Sequence, residues 1–268
     1  MQRIAILGGG RMGEALLAGL LDAGYDAGAL AVAEQHAPRR EELTARASGV
    51  RIGPSPAWAV ADAEVVVVAV KPGDVAAVLE GAREALPEDA LIISIAAGVT
   101  IADLEAAAPG RAVVRAMPNT PALVGRGATA IAAGAQATDD DLATAEALLG
   151  HVGIVARVPE HLLDAVTGLS GSGPAYVFLV VEALTEAGVL NGLPRDLAER
   201  LVAQTVLGAA ELLVASDDGP EALRAQVTSP GGTTAAGLRA LEARTVRAAF
   251  LEAVTAATER SRELGRRA

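Results

Sequence analysis

Two clusters of small and polar residues carry the chemistry available to this chain. The first is Gly8, Gly9, Gly10, Arg11, Met12 and Gly13, with Gly8, Gly10 and Gly13 in G-x-G-x-x-G register. It follows the apolar run "RIAIL" and opens the helical pattern "MGEALLAGL". A turn of this kind lets backbone N–H groups and a helix N-terminus face the pyrophosphate of a dinucleotide. Gly8 permits the tight turn, Gly10 lets backbone approach the pyrophosphate, and Gly13 lets helix and strand pack closely. A turn that binds nothing could use the same glycines, but the strand before and the helix after favour the dinucleotide. The second cluster lies in "VTSPGGTTAAGLRALE", residues 227–242. An ordinary turn needs one glycine and a proline. Here Ser229, Gly231, Gly232, Thr233 and Thr234 gather hydroxyls and unpaired N–H groups at a fresh helix start. The N–H groups of Gly232, Thr233 and Thr234, aided by Ser229, suit one small carboxylate. On residues alone, a Ser/Thr-capped helix is the competing account.

Further candidates fall where short apolar runs end. Glu34 closes "LAVAE" about 20 positions beyond the glycines, where an acidic residue can accept both ribose hydroxyls of a dinucleotide. A 2′-phosphate would meet repulsion from Glu34 unless Arg39 or Arg40 swings in, so NADH and NADPH both stay open. A solvated strand-end carboxylate is the plainer alternative. Ala69, Val70, Lys71 and Pro72 end "VVVVAVKP", and Lys71 is the chain's single lysine. Ala96 and Ala97 open "AAGV", and Asn119 lies in "MPNTP". All three segments either line the cofactor crevice or form ordinary turns.

The elements that must hold these residues divide into two kinds. Through residue 157, the runs "RIAILG", "LAVAE", "EVVVVAV", "LIISIAA", "AVVRAMP" and "ATAIAAG" alternate with helical segments such as "DVAAVLEGAREAL". Continuous apolar strands alternating with helices predict a parallel, doubly wound, Rossmann-type α/β sheet over 1–157. From 158 to 268 the strand signals stop, and four long segments carry helical patterns, which predicts an all-α domain. The helix after Pro174, "AYVFLVVEALTEAGVL", is apolar on nearly every face except at Glu182, Thr185 and Glu186. A helical domain of this size cannot easily cover such a helix alone, so burial against a second subunit is expected.

Composition excludes several classes. The net charge of -11 and the absence of any basic stripe argue against nucleic acid. An anionic ligand must therefore be attracted locally, against the global field. There is no cysteine, hence no disulfide or thiolate chemistry. His36, His151 and His161 lack ligand spacing, so no metal is expected. The N-terminus lacks a cleavage pattern and the longest apolar stretch is broken by charge, so the expectation is a cytoplasmic protein without a membrane span.

Taken together, "VKP", "AAGVTI", "MPNTPALVGRGATA", "DAVTGLSGSGPAYVFLVVEAL" and "VTSPGGTTAAGLRALE" resemble, in order and spacing, the pyrroline-5-carboxylate reductases. The resemblance covers essentially the whole chain, and the last two blocks are its most specific part. It implies reduction of pyrroline-5-carboxylate to L-proline by NADPH or NADH, the last step of proline biosynthesis. It also implies a helical domain that interlocks two subunits, with dimers often assembled into a pentamer of dimers, a decamer. By resemblance, the 229–234 loop closes on the substrate carboxylate with Thr234 near the ring nitrogen as the catalytic group. Ser172 in "SGSGP" would form the opposite wall, and Glu160 matches a carboxylate near the substrate. Where several members carry an asparagine near the cofactor ribose, this chain has Pro56, so that contact is lost. A β-hydroxyacid dehydrogenase or related imine reductase would share the architecture, but the former needs a lysine on a C-domain helix and none follows Lys71. A non-catalytic dinucleotide sensor would have no reason to keep "SPGGTT".

Overall fold

The computed structural model describes residues 2–265. The chain forms two compact units, one reaching Ser172 and resuming at Thr255, the other running from Gly173 to Val254.

The first unit alternates strand and helix. In chain order it comprises β1 (Ile4–Leu7), α1 (Arg11–Asp22), β2 (Leu30–Ala33), α2 (Ala37–Arg46), β3 (Arg51–Gly53), α3 (Pro56–Val60) and β4 (Val65–Val68). There follow α4 (Val75–Ala82), β5 (Leu91–Ser94), α5 (Ile101–Ala107), β6 (Val113–Met117), β7 (Gly127–Ala133), α6 (Asp139–Gly150), β8 (Gly153–Arg157) and α7 (Leu163–Val166). The strands form one sheet in the order β3-β2-β1-β4-β5-β6-β7-β8. The first six are parallel, and their order reverses between β1 and β4. Ligands of open α/β sheets bind outside the strand ends at such a reversal.

Both faces of the sheet are covered, which is why its strands read as unbroken apolar runs. Ile4 and Ile6 of β1 join one core with Leu16, Leu17 and Leu20 of α1 and Leu148 and Leu149 of α6. Ala5 and Leu7 point to the other core, with Val75 and Leu79 of α4 and Leu104 of α5. Burying each large aliphatic side chain stabilises by about 1.5–3 kcal/mol, so a strand apolar on both faces is held from both sides.

The parallel, doubly wound sheet is as expected, with one antiparallel pair toward its far edge. β7 pairs antiparallel with β6, and β8 then pairs parallel with β7. Only nine residues separate Met117 from Gly127, including a 3-10 turn at Thr120–Val124, too little for a crossover helix. The strand therefore turns back beside its neighbour.

The second unit is helical: α8 (Gly173–Leu190), α9 (Arg195–Ala215), α10 (Pro220–Gln226), α11 (Thr233–Ala243) and the first part of α12 (Val246–Gly265). α9 starts immediately after Pro194, whose fixed φ suits a helix start. α8 packs along α9, close enough that a methyl group on Gly188 would meet Ala198 at 3.2 Å. Ala198 is the apolar residue of this unit that is fully buried. Val177, Phe178, Leu179, Leu184 and Leu190 of α8 are exposed in the single chain.

Candidate active site

The glycine turn sits at the reversal of strand order, between β1 and α1. Gly8 has φ +110°, and an added Cβ would lie 2.7 Å from the Ala69 carbonyl oxygen. The end of β1 is thus pressed against Ala69 and Val70 at the end of β4, where no side chain fits. At Gly13 an added Cβ would come 2.1 Å from the Gly8 carbonyl oxygen, which fixes how closely α1 approaches the turn. Gly10 differs from both: no atom lies within 4 Å of the place a Cβ would take. It is exposed and precedes α1, whose start has no side-chain cap. Open approach and uncapped N–H groups at one point fit the pyrophosphate of a dinucleotide.

Glu34 stands directly after β2 and is part of the same construction. Its Oε2 accepts from the Gly9 N–H at 3.0 Å, and its Oε1 accepts from the His36 N–H at 2.9 Å. Arg39 donates through Nε to the Gly9 carbonyl at 2.8 Å and pairs with Glu14 and Glu42. The Arg39 hydrogen bond holds the Glu14 carboxyl below its ordinary range, partial burial opposes this, and Arg46 assists. Arg40 donates to the backbone carbonyls of Glu34 and Gln35 at 2.9 and 2.6 Å. Arg11 is exposed in the first turn of α1, whereas Met12 packs against the core.

The neighbouring strand ends complete this edge. Lys71 and Pro72 are exposed after β4, next to half-buried Ala69 and Val70. Ala96 is buried and Ala97 exposed after β5. Asn119 follows β6, with both ends of its amide engaged: Nδ2 donates to the Ser170 carbonyl at 3.0 Å and Oδ1 accepts from the Ala128 N–H at 2.8 Å. It ties β7 to the segment holding Ser172. That segment, Thr167–Gly171, is a π-helical turn, a local irregularity often found at functional sites. The Ser172 N–H donates to the Thr167 carbonyl at 2.8 Å, and a Cβ at Gly171 would meet the Met117 side chain at 2.7 Å.

Glu160 is held by charge and by a helix end. Its Oε1 accepts from Arg115 at 2.9 Å and from the Ile101 N–H, at the start of α5, at 2.7 Å. Arg115 is 8% exposed, so it requires a counter-charge. Arg115 is hard to single out by sequence because it sits within an apolar strand. Its one signal was a lone arginine in "AVVRAMP".

In the second unit, Ser229 to Thr234 form a turn and a helix start. Gly231 has φ +71°, and the Gly232 N–H donates to the Ser229 carbonyl at 3.1 Å. A Cβ on Gly232 would lie 2.4 Å from Ser229 Oγ. Gly232 is itself the cap of α11, and no side chain caps that helix. This removes the Ser/Thr-capped alternative and corrects one expected donor: the Gly232 N–H is taken by the Ser229 carbonyl inside the turn, while the Thr233 and Thr234 N–H groups face no side-chain cap. Thr234 is half-buried and Thr233 exposed at this start.

A doubly wound sheet with a glycine turn at its switch point, followed by a helical unit, defines a dinucleotide-dependent oxidoreductase. Comparison with known proteins narrows the class. Residues 160–264 match the family described as pyrroline-5-carboxylate reductase dimerisation, and residues 3–98 match NADP oxidoreductase coenzyme F420-dependent. The pyrroline-5-carboxylate reductase of Synechocystis is 47% identical, over 99% of both chains. A solved pyrroline-5-carboxylate reductase from Coxiella burnetii superposes with a TM-score of 0.93 at 38% identity, covering 98% of each chain. The Plasmodium falciparum pyrroline carboxylate reductase, solved with NADP bound, gives 0.86 at 32% identity, again covering 98% of each. This chain belongs to the pyrroline-5-carboxylate reductase family.

Proposed function

We propose that this protein reduces pyrroline-5-carboxylate to L-proline, the last step of proline biosynthesis. The observation that carries the reading is the uncapped start of α11 behind Ser229 and Gly232, in a chain of this family. Bound NADPH or NADH supplies the hydride that reaches the C=N carbon. The glycine turn, Gly8 to Gly13, holds the pyrophosphate, with Arg11 beside it and Glu34 at the ribose. Ala69 to Pro72, Ala96 and Ala97 border the cofactor, and Asn119 acts by positioning the Ser170–Ser172 segment. The N–H groups of Thr233 and Thr234, with Ser229, Gly231 and Gly232 shaping the turn, bind the substrate carboxylate. Thr234 orients the proton, or the water that carries it, toward the ring nitrogen. An unassisted hydroxyl is too weak an acid to be a full proton donor. Ser172 is a further substrate-binding residue. Glu160 supports the site through Arg115 and the start of α5.

The functional division falls near residue 157, with cofactor binding before it and substrate binding and dimerisation after it. The dimer reading is supported by the exposed apolar residues of α8, which a partner would cover. The stretch Glu160–Leu190 is apolar and long enough to cross a membrane by length and composition alone. Its family match to a dimerisation region supports burial in a subunit interface instead. Assembly into a decamer and a cytoplasmic location extend the same reading. The test is an assay of the purified protein with pyrroline-5-carboxylate and each nicotinamide cofactor, following cofactor oxidation and identifying proline. Absence of turnover with both cofactors would refute the proposal.

A further inference from the structure

We infer that the second-strand carboxylate, Glu34, makes this protein select the cofactor with a free ribose 2′-hydroxyl, NADH, over its 2′-phosphorylated form. The inference deepens the proposed function and rests on its cofactor site. Three features of the structure carry it.

First, Glu34 is fixed in place. Its two oxygens accept backbone N–H groups from opposite sides, Gly9 in the glycine turn at 3.0 Å and His36 at 2.9 Å. A Cβ on Gly9 would approach Glu34 Oε2 to 3.2 Å and Leu43 Cδ1 to 2.4 Å, so side chain and turn are packed together. Swinging the carboxylate aside for an incoming phosphate would forfeit both of these hydrogen bonds, one of them to the glycine turn.

Second, both arginines that follow Glu34 in the segment after β2, Arg39 and Arg40, are committed to partners. Arg39 is taken by the Gly9 carbonyl, Glu14 and Glu42, and Glu14 also binds Arg46 at 2.7 Å. Arg40 is taken by the carbonyls of Glu34 and Gln35. A 2′-phosphate would need one of these cations to leave its partners while still facing the Glu34 charge. Third, carboxylate oxygens have lone pairs beyond those used here, so Glu34 can still accept from ribose hydroxyls. Hydroxyls gain a charge-assisted acceptor where a phosphate meets a like charge.

The test is direct binding, independent of turnover. Titrating the full-length protein with NADH and NADPH, and with 5′-AMP and 2′,5′-ADP as probes of the ribose end, should show the unphosphorylated ligand bound roughly 10- to 100-fold more tightly in each pair. Glu34→Gln and Glu34→Ser should shrink that ratio mainly by strengthening NADPH and 2′,5′-ADP. A purely structural role for Glu34 would instead weaken all four ligands alike, which would overturn the inference. So would tighter or equal binding of NADPH by the unaltered protein, or failure of NADH to bind. Should the ratio hold while pyrroline-5-carboxylate is not reduced, the reaction assigned above fails and the cofactor selection stands.

Discussion

Replacing Gly10 with alanine separates ligand space from packing space in the glycine turn. Gly10 has φ -65° and ψ -177°, an extended conformation any residue adopts, and nothing lies within 4 Å of an added Cβ. Loss of a glycine cap costs about 0.5–1 kcal/mol, while restricting the unfolded chain returns about 0.4–1 kcal/mol. Stability should therefore stay within about 0.5 kcal/mol of the parent. The methyl group nevertheless occupies the approach to the α1 N–H groups, so cofactor affinity should fall about 10- to 100-fold, or roughly 1.4–2.8 kcal/mol. Gly13→Ala is the counter-case. Its Cβ would sit 2.1 Å from the Gly8 carbonyl oxygen, a backbone atom that no rotamer change relieves. Overpacking of that severity costs about 3 kcal/mol or more. Denaturant unfolding of both variants, with NADH fluorescence titration of the folded protein, gives the two numbers side by side. The reasoning is refuted if Gly10→Ala binds cofactor normally, or if it destabilises as much as Gly13→Ala.

Thr234→Val removes a hydroxyl while leaving the α11 N–H groups in place, so KM should change little and kcat should fall roughly 10- to 1000-fold; equal kcat would remove Thr234 from catalysis. Phe178→Glu places a charge on the exposed apolar face of α8, and sedimentation should show the dimer replaced by monomer or aggregate. A monomeric parent protein at micromolar concentration would contradict the interface itself. Glu14 has its carboxyl pKa lowered in the fold, first by the Arg39 hydrogen bond, so its contribution is present above the ordinary carboxylate range and disappears as pH falls through the lowered value. The stability gap between the parent and Glu14→Gln, measured by denaturant unfolding, should accordingly be larger at neutral pH than in acid, and a constant gap would refute the pairing.

Chain periodicity alone located most of this protein. β1, β2, β4, β5, β6 and β7 are apolar runs because sheet residues buried on two faces leave no room for alternation; α9, α11 and α12 repeat at the helical period, and α8 is too long an apolar run for a strand. β3 escaped notice because three residues make no pattern, and β8 because "GIVAR" leaves Ile154, Ala156 and Arg157 exposed at the sheet edge. The reversal of β7 was also hidden, since strand direction depends on the length and path of a connection rather than on composition.

The chemical types at the site were likewise legible: glycines where backbone must approach, hydroxyls at a helix start, a carboxylate after β2. What each side chain binds was decided only by tertiary structure. Glu34 reaches back 25 positions to Gly9, Asn119 reaches forward 51 to Ser170, and Glu160 reaches back 45 to Arg115. A one-dimensional pattern reports which groups must be buried or exposed, because that follows from local period and polarity. It cannot report which distant donor meets which acceptor, because that pairing exists only once the sheet has brought its strand ends to one edge.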